Sequence, residues 1–157
     1  MLESFHAKYP APFAVLGIRT VGGMVTDIEY LPPGVAPLAP LNPLAERACR
    51  EIERYLDDPE HVFDLPFAYA GTAFQCKVWR QISAIPAGRT LTYTDVARAL
   101  KTAPRPVGGA CGANRIPIVI PCHRVLAAHG IGGFMRGRGA DALSIKRWLL
   151  RHEGASA

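Results

Sequence analysis

The chain has 157 residues, 49% of them hydrophobic and 20% charged, which suits one ordinary domain or two small ones and excludes both a large multidomain enzyme and wholesale disorder. No apolar run reaches the roughly 18 residues of a membrane span, and the start, MLESFHAKYP, lacks the basic-then-apolar layout of a secretion signal, so a soluble, cytoplasmic protein is expected. The net charge of +5 is unevenly spread: residues 1 to 70 carry 5 Lys/Arg against 10 Asp/Glu, and residues 71 to 157 carry 13 against 3, an excess that suits a polyanion as well as a solvated basic face.

Apolar stretches from Phe13 and Met24, separated by Gly22-Gly23, predict a β-hairpin. Residues 31 to 43 hold five prolines and read as a loop. Asn42 and Pro43 then supply a cap and a first helical position for a helix to about Asp57, with Leu44, Ala48, Ile52 and Tyr55 or Leu56 inward. Residues 61 to 67 suggest a further strand. Composition changes at Ala70-Gly71, where most of the glycines begin, and this places a domain boundary.

Beyond it, Thr72 and Gln75 fit a capping box for a helix that carries Phe74, Val78 and Ile82 on one face and stops before Pro86. Thr94 or Asp95 caps a short helix to about Lys101, and residues 104 to 113 make another, opened by prolines. Two short helices with a tight connection, the second bearing Arg105 and the small residues Gly108, Gly109 and Ala110, read as a helix-turn-helix. Residues 116 to 121, IPIVIP, form a buried extended segment that delivers Cys122. Residues 142 to 152 close the chain as an amphipathic helix with Leu143, Trp148 and Leu149 on its apolar side.

Cys49, Cys76, Cys111 and Cys122 show no C-x-x-C spacing and form no metal-ligand pattern with the five histidines. Reduced thiols and no metal or other cofactor are expected. The chemistry-bearing cluster is Pro121-Cys122-His123-Arg124: a thiol becomes a nucleophile when a base and positive surroundings favour its thiolate, and His123 and Arg124 offer both, with a water as a plausible relay. Glu153, the only glutamate of the second part, would orient the imidazole. A cysteine hydrolase has the right residue types but no recognisable oxyanion arrangement, and no glycine-rich nucleotide loop supports transfer from a bound methyl donor.

Residues 71 to 154, through GTAFQCKVWRQISAIPAGRTLTY, PRPVGGACGAN, IPIVIPCHRV and WLLRHEG, resemble the O6-alkylguanine-DNA alkyltransferases, also called methylated-DNA–protein-cysteine methyltransferases. The resemblance implies an α+β chain. Residues 1 to 70 would be a ribonuclease-H-like N-terminal domain, and residues 71 to 157 a mainly helical DNA-binding and alkyl-acceptor domain with a helix-turn-helix. It implies that Cys122 accepts a methyl or small alkyl group once, from O6 of guanine or O4 of thymine in duplex DNA bound through the minor groove by a monomer. His123 would be the base acting through water, Glu153 its carboxylate, and Asn114 the tie between recognition helix and active-site turn.

By the same resemblance Tyr93 would assist base rotation, Arg105 would fill the vacated place in the stack, and Gly108, Gly109, Ala110 and Arg124 would meet DNA. Val125 and Cys122 would present main-chain carbonyls to the guanine amino group, while Phe134 and the amide of Met135 would line the base pocket. The segment between Tyr93 and Arg105 is shorter than the family's. The loop that contains Arg136 and Arg138 is longer, and those arginines are candidates for phosphate contacts. The competing reading is a non-enzymatic alkyltransferase-like damage-binding protein, in which the cysteine is replaced; Cys122 argues against it.

Overall fold

The computed structural model describes residues 4–132 and 142–155. The chain divides into two compact units, Met1–Ala68 and Tyr69–Ala157.

In the first unit, β1 (Ala7–Pro10), β2 (Val15–Val21) and β3 (Met24–Leu31) form an antiparallel sheet in the order β1-β2-β3. The hairpin is where the sequence places it, and Gly22 and Gly23 both take positive φ (58° and 79°), the conformation that a two-residue turn matching strand twist demands. Helix α1 (Pro43–Asp57) starts at the expected cap: Asn42 Oδ1 accepts from the Ala45 amide at 2.8 Å, while Asn42 Nδ2 donates to Thr20 on β2 at 2.9 Å. One side chain thus starts the helix and ties it to the sheet.

Its inner face is Ala45, Ala48, Glu51, Ile52 and Tyr55: Ala48 and Ile52 lie inward as expected, Tyr55 rather than Leu56 completes the face, and Ala45 takes the place expected of Leu44. Buried Glu51 receives His61 Nε2 at 2.9 Å and the Asp64 amide at 3.0 Å. Residues 61 to 67 form no strand: His61 and the Asp64 amide are satisfied by a helix side chain, and the Pro66 carbonyl accepts from the Val25 amide of the sheet.

The second unit is built on α2 (Ala73–Ser83), whose capping box between Thr72 and Gln75 is formed as expected. Val78, Trp79 and Ile82 are buried, and Trp79 Nε1 donates to the Ala110 carbonyl at 2.9 Å, fixing α4 (Pro104–Gly112) on α2. Between them, α3 (Tyr93–Ala99) is capped by Thr92, not by Thr94 or Asp95. Thr92 Oγ1 accepts from the Asp95 amide and Asp95 Oδ2 accepts from the Thr92 amide, so Asp95 is the far corner of the box.

A two-residue strand, β4 (Leu91–Thr92), runs straight into α3 and pairs in parallel with β5 (Val125–Leu126). This pairing holds Tyr93, the first residue of α3, beside the chain that leaves Cys122. Helix α5 (Ala142–His152) closes the unit with Ala142, Ile145, Lys146, Leu149 and Leu150 buried. Leu143, expected inward, is 39% exposed, because the buried face runs through Lys146 instead.

Candidate active site

Residues 116 to 121 do not form the extended segment the sequence suggests. They fold into a compact turn in which the Ile120 amide donates to the Ile116 carbonyl at 2.9 Å and Ile118 takes a φ of 74°, an uncommon conformation for a β-branched residue. Asn114 holds this turn from inside. Its Oδ1 accepts from the Ile116 amide at 2.9 Å, and its Nδ2 donates to the Ile120 carbonyl at 2.9 Å and to the Cys122 sulfur at 3.3 Å. The tie between α4 and the cysteine is therefore one buried amide side chain.

Cys122 opens a single 3-10 turn, Cys122–Arg124, which sends its side chain and that of His123 into buried surroundings. His123 is fully buried and its Nε2 lies 2.7 Å from Glu153 Oε2. Arg124 Nε donates to Glu153 Oε1 at 2.8 Å and Nη2 to Oε2 at 3.0 Å, while Nη1 donates to the Ile85 carbonyl at 2.6 Å. Burial pushes the Glu153 carboxyl up, but the hydrogen bonds from His123 and Arg124 outweigh it and hold it down to about 2.

With Glu153 ionised, His123 Nε2 must be the donor, which leaves Nδ1 as the basic nitrogen. That Nδ1 is buried without a hydrogen-bond partner among the described residues. Burial lowers the His123 pKa, against the pull of Glu153, so the ring rests neutral and ready to take a proton.

The resting sulfur is a thiol. Its hydrogen bond with the Cys111 thiol, reinforced by burial, raises the Cys122 pKa well above the usual range, whereas Asn114 and Lys146 pull it down. Lys146 is the cation the sequence reading missed. It is wholly buried on α5, donates to the Val125 carbonyl at 2.8 Å and stands 5.9 Å from the Tyr93 ring centroid. Burial brings its pKa down to about 8, against the two sulfurs, which favour its charged form.

Cys122, His123, Glu153, Asn114 and Val125 are therefore brought together, with Tyr93 half-buried at their edge beside Gly132. A Cβ on Gly132 would stand 3.0 Å from both the Tyr93 ring and the Ala127 amide nitrogen. The Val125 and Cys122 carbonyls, expected to face the guanine amino group, already accept from Lys146 and from the Val125 amide, which leaves each one further lone pair.

Arg124, expected at DNA, is turned inward to Glu153 and Ile85 because a half-buried guanidinium finds both its counter-charge and a carbonyl there. Ala110 likewise faces the core, 2% exposed, with its carbonyl engaged by Trp79. Arg105 is exposed on the first turn of α4, and Gly108 opens on free space. Phe134, Met135, Arg136 and Arg138 lie outside the described residues.

Residues 73–155, just over half of the chain, match the family model described as the 6-O-methylguanine DNA methyltransferase DNA-binding domain. The chain is 39% identical to a methylated-DNA–protein-cysteine methyltransferase of Archaeoglobus fulgidus over 67% of its length and 72% of that protein's. To the protein of the same name from Candida albicans it is 35% identical, over 90% of its length and 83% of that protein's. The Mycobacterium tuberculosis OGT crystallised in complex with DNA superimposes with a TM-score of 0.73 at 28% identity, covering 94% of this chain and 91% of that one.

Proposed function

Because the chain belongs to the methylated-DNA–protein-cysteine methyltransferase family, we propose that it repairs duplex DNA by moving a methyl or small alkyl group from O6 of guanine to its own Cys122. The observation that carries this reading is a buried thiol 3.3 Å from a fixed amide donor, followed at once by a neutral histidine whose other nitrogen is bound to an ionised carboxylate. In the reaction, Cys122 loses its proton to His123 Nδ1 through a bridging water, and Glu153 stabilises the imidazolium that forms. Arg124 keeps Glu153 ionised and in place.

The thiolate attacks the alkyl carbon, the carbon–O6 bond breaks with its electrons passing to the guanine, and the base leaves after taking up a proton. The product is a thioether. Because a thioether is a poor leaving group, each molecule reacts once.

Guanine O6 sits on the pairing edge, so the base must be rotated out of the duplex. Helices α3 and α4 act as a helix-turn-helix whose second helix enters the minor groove, where the open face at Gly108 permits close approach and Arg105 takes the place of the extruded base. Residues 1 to 68 serve as a ribonuclease-H-like N-terminal domain. The test is intact-mass measurement after incubation with a duplex containing O6-methylguanine. A single gain of about 14 Da (one CH2), mapped to Cys122, is expected, and a gain on another cysteine or none at all overturns the reading.

A further inference from the structure

Helices α3 and α5 end in the same hydrogen-bond pattern, but the two ends carry different residues at the critical place. After α3 the Lys101 amide donates to the Arg98 carbonyl at 3.2 Å and the Thr102 amide to the Ala97 carbonyl at 2.9 Å. After α5 the Gly154 amide donates to the Arg151 carbonyl at 3.0 Å and the Ala155 amide to the Leu150 carbonyl at 2.9 Å. This closure puts the residue that follows the cap into the left-handed region, where glycine has no Cβ to strain. Gly154 fills that place with a φ of 77°; at the end of α3 it is Lys101, with a φ of 56°.

Among the described residues nothing rewards the lysine. Its side chain is exposed and makes no ion pair there. A cation does suit the negative end of a helix, yet Arg98 in the last turn of α3 already supplies one. Strained backbone of this kind persists where the side chain is needed in that place.

The surroundings point to an anion. Lys101 lies three residues before Pro104, where α4 begins, and Arg98, Lys101 and Arg105 are all exposed along this helix end, turn and helix start. No Asp or Glu occurs between residues 96 and 140, so the sequence around the turn offers these cations no counter-charge. An ammonium acts as a compact point charge with three donors, which suits a phosphate oxygen.

We propose that Lys101 is a phosphate-binding residue of the turn between α3 and α4, and that it holds a backbone phosphate of duplex DNA beside the place Arg105 fills. The inference rests on the reading that α3 and α4 dock on duplex DNA. In the free protein the lysine only strains the turn, and its ammonium is rewarded in the complex. Removing it should therefore move stability and binding in opposite directions.

The test measures thermal unfolding, affinity for an unmodified duplex at several salt concentrations, and single-turnover transfer from a duplex containing O6-methylguanine. Lys101→Gly should raise Tm by about 2–5 °C. It should weaken duplex binding by about three- to tenfold and lower the slope of log affinity against log salt by about one unit. Transfer should slow at limiting duplex and regain the wild-type rate at saturating duplex. Lys101→Arg, which keeps the charge, should keep the slope. Arg151→Ala, which removes one charge from α5 of the same unit, should keep it too.

A Tm that falls in Lys101→Gly would assign the ammonium to the α3 dipole, and an unchanged slope would leave the turn without a phosphate. An equal drop in slope for Arg151→Ala would make the effect one of net charge. Each of these results overturns the proposal. With transfer by the wild type intact they sink this inference alone, whereas a wild type that shows the lysine-dependent slope but never accepts a methyl group would fail only the functional reading.

Discussion

At the acceptor sulfur one buried carboxylate serves both the Arg124 guanidinium and the neutral His123 ring, and this makes Glu153 the most consequential side chain beside Cys122. Glu153→Gln leaves a neutral amide that cannot stabilise the His123 imidazolium, so transfer should slow by about tenfold or more, and alkylation of Cys122 by iodoacetamide should move to higher pH. An unchanged pH profile would exclude the relay. Lys146 separates reactivity from stability. Lys146→Met removes a charge whose burial is costly, as its pKa of about 8 records, so Tm should hold or rise. The thiolate would lose its positive neighbour, and iodoacetamide should then react more slowly at every pH. A lower Tm with unchanged reactivity would make Lys146 purely structural. The cluster was legible where it is contiguous, in the PCHRV run and the HEG end. Lys146 and Cys111 were missed because a lysine on an amphipathic helix reads as solvated and a lone cysteine as core. The signal available was position, since 142, 145, 146, 149, 150 and 153 share one face of the closing helix and a lysine in that stripe is buried.

The helices were legible to within a residue or two because each carries its own start signal, and those signals are local: Asn42-Pro43, Thr72 with Gln75, and the prolines at 104 and 106. Thr92 was displaced from the expected cap only because Thr94 and Asp95 offer the same chemistry two and three residues later. What was not legible is long-range. The parallel pairing of β4 with β5 joins residues more than thirty positions apart, and the turn at 116 to 121 depends on Asn114 rather than on its own apolar pattern. Asn114→Ala should therefore cost about 1–3 kcal/mol, since the Ile116 amide would lose its Asn114 partner and the Ile120 carbonyl would keep only the Cys122 amide, and it should lower transfer by more than that loss of folded protein explains. Thermal unfolding and single-turnover rates on the folded fraction check both parts; a rate that tracks stability alone would mean that the amide does not position the sulfur. On α4, Arg105→Ala should weaken reaction with duplex substrate far more than reaction with free O6-benzylguanine, which needs no extrusion. Equal loss on both substrates would assign Arg105 to the fold instead.

For the molecule as a whole, charge divides with the two units: residues 1 to 68 carry a net −5 and residues 69 to 157 a net +10, so the basic unit is also the one that holds the acceptor. On the acid side, buried His123 and Glu153 tie stability to pH in one direction. The His123 pKa lies below its usual 6.5, so as pH falls the unfolded chain takes up that proton before the native one does. Glu153, at about 2 against an ordinary 4.5, behaves likewise: its contribution is complete above 4.5 and is lost as pH falls towards 2. Stability should thus decline with falling pH from about 6.5 downward, most steeply below 4.5, by a few kcal/mol in total from this cluster. Other carboxylates add to the same decline, so the informative quantity is the difference between the wild type and Glu153→Gln. At neutral pH the wild type should be the more stable, because the variant leaves Arg124 without its counter-charge. Between pH 4.5 and 2 the gap should close as the wild-type carboxylate is protonated, and urea unfolding at several pH values measures it directly. A gap that stays constant down to pH 2 would mean that Glu153 contributes through packing, and that the ionised carboxylate does not hold the relay in place.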